Sequence, residues 1–185
     1  VSGDKVAARE VPPMGDAEDQ VPGLPGGFGH FYLQEYRGVV ELAYALSGNR
    51  AGAEDIAQEA FLRAYRDWQR VGRYQYPGAW VRRVAVNLAT SAVRRRLIEA
   101  RVLARFWARE PALVELPASG ADFWRAVRSL PRRQAQAVAL HYLEDLSVAD
   151  IARVLGCAEG TVKAHLHNGR EALARRLPLI EEAEA

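Results

Sequence analysis

The sequence predicts an all-α protein of two small helical domains joined by a flexible linker, the C-terminal one a helix-turn-helix. Three observations predict it. Strand formers are sparse while Ala, Leu, Arg and Glu are plentiful, a composition that favours helix. Apolar residues recur at helical spacing in two separate blocks. Between the blocks, Pro111, Pro117, Ser119 and Gly120 punctuate residues 110–121 as a linker. At ~3.4 Å per residue such a linker spans at most ~40 Å. The chain's 185 residues suffice for one ordinary domain or two small ones.

The elements follow in order. Residues 1–29 carry Pro12, Pro13, Pro22, Pro25 and six glycines with no apolar period, and read as a disordered leader. The first domain is expected over 30–109. Its first helix, about 30–47, places Phe31, Tyr32, Leu33, Tyr36, Val39, Val40, Ala43 and Leu46 at helical spacing, and Ser47-Gly48-Asn49 ends it. The second helix is expected at about 51–69. Glu54 and Asp55 suit the positive end of its dipole, and Ile56, Ala60, Leu62 and Ala64 form an apolar side. A loop over 71–78 contains Gly72, Pro77 and Gly78. The third helix starts near Pro77, since proline is tolerated in a first turn, and extends past Arg96.

The second domain is expected over 122–177, with helices near 122–129, 132–143, 147–155 and 158–176, followed by an acidic tail over 178–185. Ser147-Val148-Ala149-Asp150 resembles a capping box, with aspartate in place of the longer glutamate. Val148, Ile151, Ala152 and Leu155 then make one buried face, and Gly156 supplies the left-handed stop. After that turn, Val162, Leu166, Gly169 and Leu173 form the stripe of a second amphipathic helix. Gly160, Lys163, Ala164 and His167 lie away from that stripe, with Arg170 at its flank. Small and basic side chains on the free face suit a major groove: Lys and Arg reach phosphates or guanine, and Ala meets a thymine methyl. The plainer alternative is the solvated surface of a small bundle.

Charge divides along the chain. Net charge is −3 over 1–29, +7 over 30–109, −1 over 110–129, +2 over 130–177 and −3 in the tail. A basic body between acidic ends suits a polyanionic partner or, more plainly, an arginine-rich solvated surface. Cys157 is the single cysteine, so no intrachain disulfide is expected and a cytoplasmic location fits. No apolar window reaches the length of a membrane span. His165 and His167 stand at i and i+2 and point apart on a helix, while His30 and His141 add no ligand spacing. No metal and no cofactor is therefore expected. Asp55 and Glu59 share a helix face, but no His, Cys or Lys joins them in a catalytic motif and no phosphate loop is present. An enzyme is the least favoured reading. A stand-alone helix-turn-helix regulator stands between it and the reading that follows.

The LPRRQ start, the YLEDLS segment, the IARVLGC turn and the GTVKAHLHNGREAL helix occur in order within residues 130–177. Together they resemble the fourth domain of bacterial sigma factors. AEDIAQEAFLRAYRDW, residues 53–68, resembles the helix with which that family grips the polymerase clamp. PGAWVRRVAVNLATSAVRRR, residues 77–96, resembles its minus-ten helix. The resemblance covers roughly 30–177, and the lack of a recognisable third domain points to the extracytoplasmic-function (ECF) group. It implies a protein that binds core RNA polymerase and promoter DNA, with no catalysis of its own, and that is held by an anti-sigma partner.

The same resemblance implies the site residues. Asp55, Gln58, Glu59 and Phe61 match clamp-binding positions. Residues 71–79 match the loop that captures a flipped promoter base, with Trp80 and Asn87 beside it. Arg82, Arg83, Arg94, Arg95 and Arg96 match contacts to the melted minus-ten strand. Lys163, Ala164, His167 and Arg170 match positions facing the minus-thirty-five element, with Thr161 near a phosphate at the helix start.

Overall fold

A left-handed glycine at each end frames the first helix of this computed structural model, which describes residues 26–104 and 121–177. Gly27 (φ 78°) precedes α1, Phe28–Ser47, and Gly48 (φ 68°) follows it, donating its N–H to the Tyr44 carbonyl at 2.8 Å. Only glycine enters that region without a steric penalty. Helix α1 therefore begins two residues before the expected start. Phe28 leaves the predicted leader and is buried against Phe31, Tyr32, Tyr65 and Trp68. Residues 1–25 of that leader lie outside the described residues.

Asn49 does more than end the first helix. Its side chain accepts the Gly52 N–H at 2.8 Å and so caps α2, Arg50–Arg66. With the helix starting at Arg50, Glu54 and Asp55 stand beyond its first turn rather than on its dipole. The buried stripe of α2 is Ala53, Ile56, Ala57, Ala60 and Ala64, with Phe61 at its flank. Leu62, expected on the apolar side, is instead 42% exposed. It sits nine residues after Ala53, which at about 100° per residue is the opposite face. The alanines let α1 and α2 approach closely, because small side chains keep the backbones near one another.

A short α3, Trp68–Val71, closes the aromatic cluster, and Trp68 donates its indole N–H to the Gly26 carbonyl at 2.9 Å. Residues 72–76 form the loop to α4, Pro77–Ala104, so Gly78 and Ala79 are helical. The expected linker lies outside the described residues save for Ala121, which opens α5, Ala121–Arg128. The acidic tail also lies outside them.

Helix α6, Arg132–Tyr142, is buried continuously from Ala135 to Leu140, so it is the central helix of the second set. Then come α7, Val148–Leu155, and α8, Glu159–Ala174. Ser147 caps α7 by accepting the Asp150 N–H at 3.1 Å, and its hydroxyl donates to the Asp150 carboxylate at 2.5 Å. That hydrogen bond is the main cause that holds the Asp150 carboxyl below the ordinary carboxylate range; desolvation opposes it and the nearby Arg153 adds to it. Ser147→Ala should lower stability by about 1 kcal/mol in a thermal melt, the usual cost of losing a serine cap. Gly156 (φ 65°) ends α7. Helix α8 buries Val162, Leu166, Gly169 and Leu173 against α6 and α7.

The described residues contain no strand. The two helical sets also pack on one another, and a single apolar cluster runs from Phe28 to Leu173. Arg128 of α5 donates to the Ala45 carbonyl at 3.1 Å, at the C-terminal end of α1 where a cation suits the dipole. Burial lowers the pKa of that guanidinium.

Candidate nucleic-acid and polymerase interfaces

Helix α8 sorts its residues by face. The apolar stripe anchors it, which leaves Thr161, Lys163, Ala164, His167 and Arg170 exposed. All five candidate minus-thirty-five residues thus share an accessible surface, beginning in the first turn. Arg170 is the most constrained, since its Nε donates to the Tyr142 hydroxyl at 2.9 Å. His167 lies 3.6 Å from Glu171. No grouping of His, Cys, Asp and Glu suited to a metal ion occurs among the described residues.

The candidate clamp residues divide. Asp55 and Gln58 are exposed on α2, and Glu59 is half-exposed and paired with Arg63 at 2.7 Å. Phe61 is a correction. It is only 2% exposed and packs among Phe31, Tyr32 and Tyr36, with ring centroids 5.0–5.8 Å away. A side chain so enclosed is part of the core and has no surface to offer a partner.

The candidate minus-ten residues all stand on α4, in differing surroundings. Trp80 is half-buried and packs against the core. Arg94 and Arg95 are exposed, and the side chain of Arg96 lies outside the described residues. Arg82 is enclosed, with 17% of its side chain exposed. It pairs with Glu35 of α1 at 2.5 Å and with Glu144, between α6 and α7, at 2.7 Å. Burial opposes its charge, but the two carboxylates outweigh that and raise its pKa above the ordinary value.

Around Arg82 the second helical set lies over the start of α4. Arg132 of α6 donates to the Asn87 side chain at 2.7 Å. Gln136, wholly buried, donates to the Val86 carbonyl and the Thr90 hydroxyl, each at 3.3 Å. The Arg83 guanidinium lies against Gly156, where any side chain would overlap it. In the loop before α4, the ring of Tyr76 lies under Arg153 of α7, 4.2 Å from the guanidinium carbon to the ring centroid. Glu35, Glu144, Arg132, Gln136 and Arg153 are not among the residues expected at the site. Their partners are distant in sequence, so periodicity carries no signal for them.

Two family models match the chain in succession. The model of Sigma-70 region 2 matches residues 31–97, and that of Sigma-70, region 4 matches residues 121–173. The ECF RNA polymerase sigma factor SigE of Mycolicibacterium smegmatis is 38% identical over 143 residues, which are 73% of this chain and 55% of that relative. The chain thus spans little more than half of SigE. The ECF RNA polymerase sigma factor SigW of Bacillus subtilis is 30% identical over 155 residues, 75% of this chain and 82% of that one. In fold, the chain is similar to the sigma factor RpoE of Bartonella quintana, solved in complex with the anti-sigma factor NepR. That likeness has a TM-score of 0.64 at 24% identity and covers 83% of this chain and 98% of that one. With both sigma-70 regions present in order, and a relative such as SigW matched over most of its length, the chain belongs to the ECF RNA polymerase sigma factor family.

Proposed function

We propose that the chain is an alternative sigma factor of the ECF type. It binds core RNA polymerase, recognises the minus-thirty-five and minus-ten elements of promoters and starts transcription of a specific gene set. The observation that carries this reading is the pair of sigma-70 regions on one chain. A stand-alone helix-turn-helix regulator has no need of the first region.

The roles divide by domain. Residues 30–109 form the polymerase- and minus-ten-binding unit, with Asp55, Gln58 and Glu59 on the clamp. Trp80, Arg82, Arg83, Asn87 and Arg94–Arg96 serve the melted strand. Residues 122–177 form the minus-thirty-five unit, reading through Thr161, Lys163, Ala164, His167 and Arg170. Strand capture costs a few kcal/mol of unstacking, which base stacking and phosphate contacts offset. The chain carries no catalysis of its own, works in the cytoplasm beside the polymerase, and needs no cofactor. An anti-sigma partner is proposed because RpoE was solved bound to one. No helix among the described residues is long and apolar enough to cross a membrane.

The test is transcription in vitro from pooled genomic fragments, using bacterial core polymerase with and without the protein. New start sites that require the protein and share two upstream elements are expected. DNA binding by the protein alone, with no new transcripts, would favour the independent regulator. Once a promoter is known, Lys163→Ala should weaken binding to its minus-thirty-five duplex. The slope of log affinity against log salt should fall by about 1 if the contact is to a phosphate. Unchanged affinity and slope would remove Lys163 from the contacts.

A further inference from the structure

Arg170 of α8 is held in place from another helix. Its Nε donates to the hydroxyl of Tyr142, the last residue of α6, at 2.9 Å. The guanidinium carbon lies 5.6 Å from the centroid of that ring, within reach of a cation–π contact. Tyr142 in turn makes a T-shaped contact with Phe123 of α5, centroids 6.1 Å apart, which steadies the ring from behind. The tyrosine is 52% exposed, so its hydroxyl and the arginine meet at the protein surface.

That hydrogen bond leaves a defined remainder. A guanidinium carries five N–H donors in one plane. With Nε engaged, the two terminal nitrogens stay free, and together they form a fork that fits two oxygens of a phosphate. The kind of partner matters as well. Glu171, the neighbouring carboxylate, lies 3.6 Å from His167 and 4.0 Å from Arg175, and no carboxylate among the described residues pairs with Arg170. A hydroxyl orients the arginine and leaves its charge to act on DNA, whereas a carboxylate would orient it and cancel the charge.

The place on the helix selects the target. Thr161 and Arg170 are nine residues apart, which at about 100° per residue puts them on opposite flanks of α8. A helix lying in a major groove about 12 Å wide turns its flanks to the two sugar-phosphate walls and its middle to the base edges. Ala164 and His167 occupy that middle, opposite the stripe of Val162, Leu166, Gly169 and Leu173. We infer that Tyr142 is a positioning residue for DNA binding: it takes the Nε–H of Arg170 and aims the two terminal nitrogens at a backbone phosphate. The inference deepens the minus-thirty-five reading of α8 and rests on it. Such a contact supplies affinity and register rather than choice of base.

The test uses the full chain and a fluorescent duplex of mixed sequence at low salt, where phosphate contacts carry the binding. Arg170→Ala should weaken binding about tenfold and lower the salt slope by about 1. Tyr142→Phe keeps the ring and the arginine's charge and removes only the acceptor. It should weaken binding about threefold, because a freed arginine must be ordered again on binding. In the Arg170→Ala background, Tyr142→Phe should change nothing further, since a positioning residue acts only through the group it positions. A loss of affinity caused by damage to the fold would persist in that background, so the cycle reads positioning apart from stability. Equal affinity for Tyr142→Phe and the native chain overturns the inference. A loss that persists without Arg170 overturns it too, as does Arg170→Ala with an unchanged salt slope, which takes the arginine off the phosphate. Transcription with core polymerase separates the two readings. Promoter-specific transcripts without coupling between Tyr142 and Arg170 sink this inference alone. Coupling without transcripts supports the positioned contact and sinks the sigma-factor reading.

Discussion

Reversing Asp55 and Glu59 to lysine is expected to abolish co-purification with core RNA polymerase while leaving the helical fold in place. The two carboxylates stand one helical turn apart on α2, outside its buried stripe of Ala53, Ile56, Ala57, Ala60 and Ala64. The change is four charge units on one face, from two negative to two positive. A basic surface that attracts the native face would repel the variant, and like-charge contacts at an interface cost several kcal/mol. The cost to the fold is much smaller. Only the Glu59–Arg63 pair is lost, and an exposed pair at this spacing contributes about 0.3–0.5 kcal/mol. Pull-down with core enzyme reads the first effect, and circular dichroism with a thermal melt reads the second. A folded double variant that still co-purifies would move the clamp contact off this face.

Gly169→Val should be the most damaging single change in the second domain, lowering stability by about 2 kcal/mol or more. The position lies where α8 crosses α6. A Cβ there would stand 2.9 Å from the Val138 Cγ2, with Gln134 and Leu130 side-chain carbons at 3.7 and 3.8 Å. Val138 is itself fully buried and cannot swing away. A valine adds two further methyl groups to that space, so α8 must lift and the DNA-facing residues lift with it. Gly160→Ala is the contrast. Nothing lies within 4 Å of its Cβ position, so the alanine's helix preference should make it neutral to stabilising, by up to about 1 kcal/mol. Urea unfolding of both variants checks the pair. Equal stability for Gly169→Val and the native chain would mean that α8 and α6 do not pack this closely.

Much of the second domain is legible in its residues alone. Ser147, Asp150 and Gly156 mark the start and stop of α7 through local backbone chemistry, and each stands where that chemistry requires. The stripe Val162, Leu166, Gly169 and Leu173 follows from helical period, and with it the free face that carries Lys163 and His167. Asn49 is half legible. Its residue type marks a turn, but its role as the cap of α2 depends on the helix starting at Arg50. Leu62 and Phe61 mislead because hydrophobicity does not say which way a side chain faces. One faces solvent and the other fills the core, and only the packing of α2 against α1 assigns them.

By itself the sequence determined the helical class, the helix-turn-helix and the resemblance to both sigma-70 regions. These depend on interactions within a few residues, or on residue strings that read without coordinates. Tertiary structure alone decided how the surfaces meet. Glu35 and Glu144 reach Arg82 from 47 and 62 positions away, and Arg153 reaches Tyr76 from the other helical set. No local rule pairs such residues. An arginine on α4 reads the same in sequence whether it faces water, a phosphate or a carboxylate of its own chain, and only the packing of one helical set on the other selects among them.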